Sequence, residues 1–86
     1  MTKEMKISRT EYTVKVYNQR EEKLVRMINT ELDILVEYNR KRTFGERTIN
    51  VIRRNVEEIN GMLNALFYMG LASDPMVIDE NNIINA

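Results

Sequence analysis

Apolar residues enter this chain with no helical period at first and then settle into one. Residues 1–7, Met1 to Ile7, are polar and aperiodic and read as a flexible arm. Ser8-Arg9-Thr10-Glu11 matches a capping box, with the serine side chain bonding a free backbone N–H one turn on and the glutamate reaching back. Tyr17, Leu24, Ile28, Leu32 and Leu35 then recur at helical spacing, and Val25 and Val36 widen the stripe. Tyr12, Val14 and Val16 alternate with polar residues, which is the pattern of a short strand. The cap, and the absence of Gly and Pro before Gly45, favour a helix over 9–42 instead.

Thr43-Phe44-Gly45-Glu46 is a second capping-box match, and Arg40, Lys41 and Arg42 place cations at the preceding C-terminus, where they oppose the helix dipole. The short connection predicts an antiparallel hairpin. A second helix over 44–70 carries Ile49, Ile52, Val56, Ile59, Leu63 and Leu66 in alternating steps of three and four, the spacing of a bundle seam. Met62, Phe67, Met69 and Leu71 form a stripe beside it. Gly70 suits a left-handed C-terminal stop. Gly61, inside the helix, suits either close approach by a neighbouring helix or an open surface. Asp74-Pro75 predicts a short third helix over 75–81, and 82–86 is a tail, loose or clamped by Ile83 and Ile84.

The expected fold is therefore all-α, one domain over 1–86: an antiparallel hairpin of two long helices plus a short C-terminal helix. A lone hairpin covers one side of each helix, and the second helix is apolar on more than one face. Homo-oligomerisation is expected to complete the core, with Ile49, Ile52, Val56, Ile59, Met62, Leu63, Leu66 and Phe67 at the interface.

Composition narrows the chemistry. In 86 residues there is no cysteine, so no disulfide, and no histidine, so zinc loses its two usual ligand types. Thirteen basic residues balance thirteen acidic ones, which removes the overall field of a general nucleic-acid binder. No apolar run reaches the roughly 18–20 residues of a membrane span, and the N-terminus has no apolar signal core, so a cytoplasmic protein is expected. Glu21/Glu22 and Glu57/Glu58 are adjacent and Glu31 and Asp33 diverge on a helix, so none makes a catalytic pair. No enzyme, cofactor or metal is expected.

Arg40, Lys41, Arg42, Arg47, Arg53 and Arg54 crowd the hairpin tip, with Tyr38 and Phe44 near enough to stack on a base. A helix N-terminus and planar guanidiniums favour phosphate there, so the tip is a candidate anion site. The rival is helix-end capping plus ion pairing with acids of a neighbouring chain, such as Asp74, Asp79 and Glu80 in the tail of another copy. Tyr12, Tyr17, Tyr38 and Tyr68 suit interfaces.

The run from Arg47 through Arg53-Arg54-Asn55-Val56 to Leu63, about a fifth of the chain, resembles the second hairpin helix of phage anti-CBASS cyclic-nucleotide sponges. The resemblance implies an anti-defence homo-oligomer without catalytic machinery that sequesters cyclic nucleotides between subunits. Arg47 and Arg53 stand at matching positions. The functional expectation is a non-enzymatic, oligomeric binding protein with an anion-binding tip. The alternative is a small interaction module, an inhibitor or adaptor that meets a target protein through a helix face.

Overall fold

The helices are preceded by a sheet. The computed structural model describes residues 2–41 and 46–85, with residues 46–48 described by backbone alone. Strand β1 (Lys3–Lys6) pairs antiparallel with β2 (Thr13–Val16), Lys3 opposite Val16 and Lys6 opposite Thr13. The fold is therefore mixed, and the all-α expectation is corrected. The expected arm is β1, and α1 runs from Gln19 to Lys41, ten residues later than the sequence reading began it. The physical reason is period two. Val14 and Val16 are buried while Thr13 and Lys15 are exposed, and branched residues suit a half-buried pleat.

Ser8 caps no helix. It lies in the hairpin loop, where Arg9 takes a left-handed φ of 64°, and its N–H donates to Asn29 Oδ1 at 2.8 Å. Thr10 closes the loop, its hydroxyl donating to Ile7 O (2.7 Å) and accepting from Tyr12 N–H (3.1 Å). The working cap of α1 is Asn18-x-x-Glu21. Asn18 Oδ1 accepts from Glu21 N–H (2.9 Å), and Glu21 Oε1 reaches back to Tyr17 N–H (2.7 Å).

Helix α2 (Glu46–Tyr68) packs antiparallel on α1. Val25, Ile28, Leu32, Leu35 and Val36 of α1 meet the α2 seam of Ile52, Val56, Ile59, Leu63 and Leu66, all at most 6% exposed. Gly70 ends α2 with φ 84°. Its N–H donates to Phe67 O and Leu71 N–H donates to Leu66 O, both at 3.0 Å, a full Schellman pair. Gly61 faces open space. The expected Thr43 cap lies outside the described residues.

The short helix expected at 75–81 is also corrected: residues 75–79 form no regular secondary structure, and α3 spans Asn81–Ile84. Met76 and Ile78 are buried while Val77 is 64% exposed, so the period is again two. Asp79, not Asp74, bonds the helix start, its Oδ1 accepting from Asn81 and Asn82 N–H (2.9 and 3.3 Å) while Asn82 Oδ1 accepts from Asp79 N–H. Ile83 is fully buried in the chain's own core.

Two asparagines strap these non-helical segments to the helices. Asn29 on α1 accepts from Ser8 N–H and donates to Lys6 O (3.0 Å). Asn60 on α2 accepts from Ile78 N–H (2.9 Å) and donates to Ile78 O (2.8 Å). Each amide thus imitates a neighbouring strand. Tyr12 adds a cross-link between hairpin and tail, its hydroxyl donating to Val77 O at 2.9 Å.

Truncating Leu63 to alanine is expected to cost about 2–5 kcal/mol in denaturant melts, as a fully buried large-to-small change does. Asn60→Ala leaves both Ile78 backbone groups without a partner. It should cost about 1–3 kcal/mol and speed hydrogen exchange at the Ile78 amide. An unchanged exchange rate there rules out the strap.

Candidate functional site

The basic tip is built from the end of α1 and the first turns of α2. Arg42 and Phe44 lie outside the described residues, and Arg47 is placed in α2 by its backbone only. Three of the cations described at this end, Arg40, Lys41 and Arg53, pair with acids of the same chain. Arg40 Nη1 and Lys41 Nζ lie 3.4 and 3.9 Å from the Glu37 carboxylate. Arg53 forks onto the tail, Nε to Glu80 Oε2 at 2.7 Å and Nη2 to Oε1 at 3.3 Å. That hydrogen bond holds the Glu80 carboxyl below the usual carboxylate range and raises Arg53. Arg54 follows Arg53 by one residue, so it points about 100° around the helix. It is exposed and makes no ion pair among the described residues. Tyr38 is half-buried against the core rather than projecting as a stacking platform. The structure therefore does not converge Arg40, Arg53, Arg54 and Tyr38 on one point.

The interface residues read from the sequence sit elsewhere than expected. Ile52, Val56, Ile59, Leu63 and Leu66 are the chain's own core, and nothing of them is offered to a partner. Ile49 is half-buried, and Phe67 is half-buried with its ring tilted against Tyr68 at 5.6 Å. Of that group Met62 alone borders an open surface of the kind described next.

The surface follows from which flank of each helix is covered. On α1, Glu22, Asn29 and Asp33 reach the β-hairpin through Lys3 (2.9 Å), Lys6 O and Arg9 (3.4 Å). On α2, Arg53 and Asn60 reach the tail. At 100° per residue these positions lie on one flank of each seam. Because the helices are antiparallel, the two flanks form one side of the pair, and Tyr12 joining hairpin to tail confirms it. The other side presents Leu24, Met27, Ile34 and Tyr38 from α1, and Val51, Met62, Ala65 and Met69 from α2. Met27, Ile34 and Met69 are 51%, 60% and 51% exposed, and the rest are half-buried except the exposed Ala65. No described element covers this face. A shallow hollow at its end is lined by Arg20, Lys23, Leu24 and Met27.

The sequence signal for the face was present but was assigned elsewhere. Leu24, Met27, Ile34 and Tyr38 step by three, seven and four, a heptad whose missing member is Glu31. In one dimension Leu24 falls within the core stripe and Tyr38 within the tip. The two strapping asparagines were not singled out at all. Their signal is a poor helix former at the border of an apolar stripe.

Among the described residues no three His, Cys, Asp or Glu side chains gather into a metal site, and no described helix is long and apolar enough to cross a membrane. No protein-family model, no curated protein and no solved structure matches this chain.

Two carboxylates tie separate segments together. Glu22 is held below the usual range first by its bond from Lys3 of β1 and then by Arg26, and Glu80 is held there by Arg53. A depressed folded-state value means the stabilisation is present at neutral pH and is lost as pH falls through that value. Glu80→Gln should therefore lower the melting temperature slightly at pH 7. The gap to the wild type should close below about pH 4, where carboxylates protonate. Thermal melts across that range check it, and a gap that persists in acid excludes the ion pair as its source.

Proposed function

We propose that this chain is a small non-enzymatic protein-interaction module whose working surface is the bare side of its helical hairpin. The observation that carries this is the alignment of exposed Met27, Ile34 and Met69 with half-buried Leu24, Val51 and Met62 along both helices on one side. Scattered exposed apolar residues are ordinary, but a contiguous patch running the length of two helices marks a recognition surface. Two parallel ridges with a groove between them suit another helix, the geometry of helix-in-groove recognition. Unbranched methionines let such a groove adjust to its occupant.

The anion-binding tip, with a cyclic nucleotide as its sharpest ligand, is the rival. Arg40, Lys41 and Arg53 already have acids at salt-bridge distance, so a phosphate must displace Glu37 or Glu80 to reach them. That competition is why the helix face is preferred.

Photo-cross-linking side chains placed at Ile34 and at Met69 test the module. Adducts are expected from both positions in the producing cell and none from Glu57, which is exposed on another side of α2. Absence of any adduct from the face, together with tight nucleotide binding that Arg54→Ala abolishes, transfers the function to the tip. In the favoured case no cyclic or linear nucleotide binds below about 100 μM in calorimetry, a free energy of roughly −5.5 kcal/mol.

A further inference from the structure

We infer that the occupant of the bare face is a second copy of this chain, which closes the two hairpins into a four-helix bundle with like ends together. This rests on the face being the working surface. Size is the first argument. Helices of 23 residues are roughly 35 Å long at 1.5 Å per residue, and the molecule is 19 Å across. The face is thus roughly 650 Å², near the roughly 800 Å² per partner of a standard stable interface. A two-ridged surface is also the shape that matches another two-ridged surface at bundle crossing angles.

Charge is the second argument. The covered side of the molecule has its ion pairs satisfied within the chain. The bare side carries Arg20, Lys23 and Glu31 on α1 with Arg54 and Glu58 on α2. All five are exposed, and none is in an ion pair among the described residues. Cations and anions mixed on one surface suit a self-complementary contact. A strongly basic or acidic partner calls for a face of one sign.

Register chooses between the two symmetric ways of stacking the faces. With the two-fold axis along the helices, α1 of one copy lies over α2 of the other and heights are kept. Counted from the tip, Ile34 is at about 10 Å and Val51 at about 8 Å. Met27 stands at about 21 Å and Met62 at about 24 Å. Glu31 stands at about 15 Å and Arg54 at about 12 Å. Ile34 then meets Val51, and Met27 meets Met62. The Arg54 guanidinium is shared between Glu58, one turn on in its own helix, and Glu31 of the other copy. With the axis across the helices, α2 lies over α2 and Glu58, near mid-height, meets its own copy, a like-charge contact that is unfavourable.

The intact chain in light scattering after size exclusion, at about 100 μM, is expected at twice the chain mass. Ile34→Glu, an exposed position, should leave the helical circular dichroism unchanged and weaken dimerisation at least about thirty-fold, as loss of a central hot-spot side chain does. Glu31→Arg alone and Arg54→Glu alone should each weaken it, and the two combined in one chain should restore it. A wild type that stays monomeric, or a dimer indifferent to Ile34→Glu, overturns the proposal. Failure of the charge swap to restore the dimer overturns the like-ends arrangement. A monomer whose Ile34 cross-linker captures a different protein overturns self-association while leaving the interaction module standing. A monomer with no adduct removes both.

Discussion

Two antiparallel helices bury against each other only the strip along which they touch, and the rest of this molecule is a response to that limit. The contact of Ile28, Leu32 and Leu35 with Ile52, Ile59 and Leu63 leaves a pair of helices with two open sides. The described segments outside the two helices cover one of them. The N-terminal segment does so as a two-stranded hairpin laid against α1, and the C-terminal segment does so as a strap bonded to α2 through Asn60 that ends in α3 packed on α1. Ile7, Val14, Val16, Met76, Ile78 and Ile83 carry that cover into the core.

A non-helical segment lying on a helix has backbone groups that no helix backbone can satisfy, since those of the helix are already paired. Here the shortfall is met by side-chain amides. Asn29 and Asn60 each present one donor and one acceptor to the segment above, as a neighbouring strand does. Tyr12 and the ion pairs Lys3–Glu22 and Arg53–Glu80 fasten the same two segments at their margins. Arg53 of the tip and Glu80 of the tail are thereby drawn into holding the fold. The uncovered side keeps Met27, Ile34 and Met69 exposed, and Glu31, Arg54 and Glu58 there make no ion pair among the described residues.

The periodic parts of the molecule were legible before any coordinates. The seam from Ile52 to Leu66 and the stop at Gly70 rest on local geometry: a period of 3.6 selects one face, and a left-handed terminus selects glycine. Of the hairpin in residues 3–16 only the second strand was legible, as a rival at Tyr12, Val14 and Val16, while β1 lies in the segment that reads as a flexible arm. The second strand's alternation is four residues long, and a capping-box pattern at Ser8 competes with it. That contest depends on whether a helix surface lies within reach of Val14 and Val16, and no local pattern contains that information. The same holds for Asp74-Pro75, a sound local start overruled because Met76 and Ile78 gain more from burial as a non-helical strap.

By itself, then, the sequence determined the two long helices, the residues at their shared seam, the absence of thiol and imidazole chemistry, and the concentration of arginine near the turn. Only the tertiary structure decided which of the two open sides would be covered, and therefore which apolar residues are core and which are surface. The two stripes look alike in one dimension: Leu24, Met27, Ile34 and Tyr38 have the same helical spacing as Ile28, Leu32 and Leu35. What separates them is a third body, the strapped hairpin and tail. Its position is set by contacts between residues as far apart as Tyr12 and Val77, and spacing along a helix carries no record of such contacts.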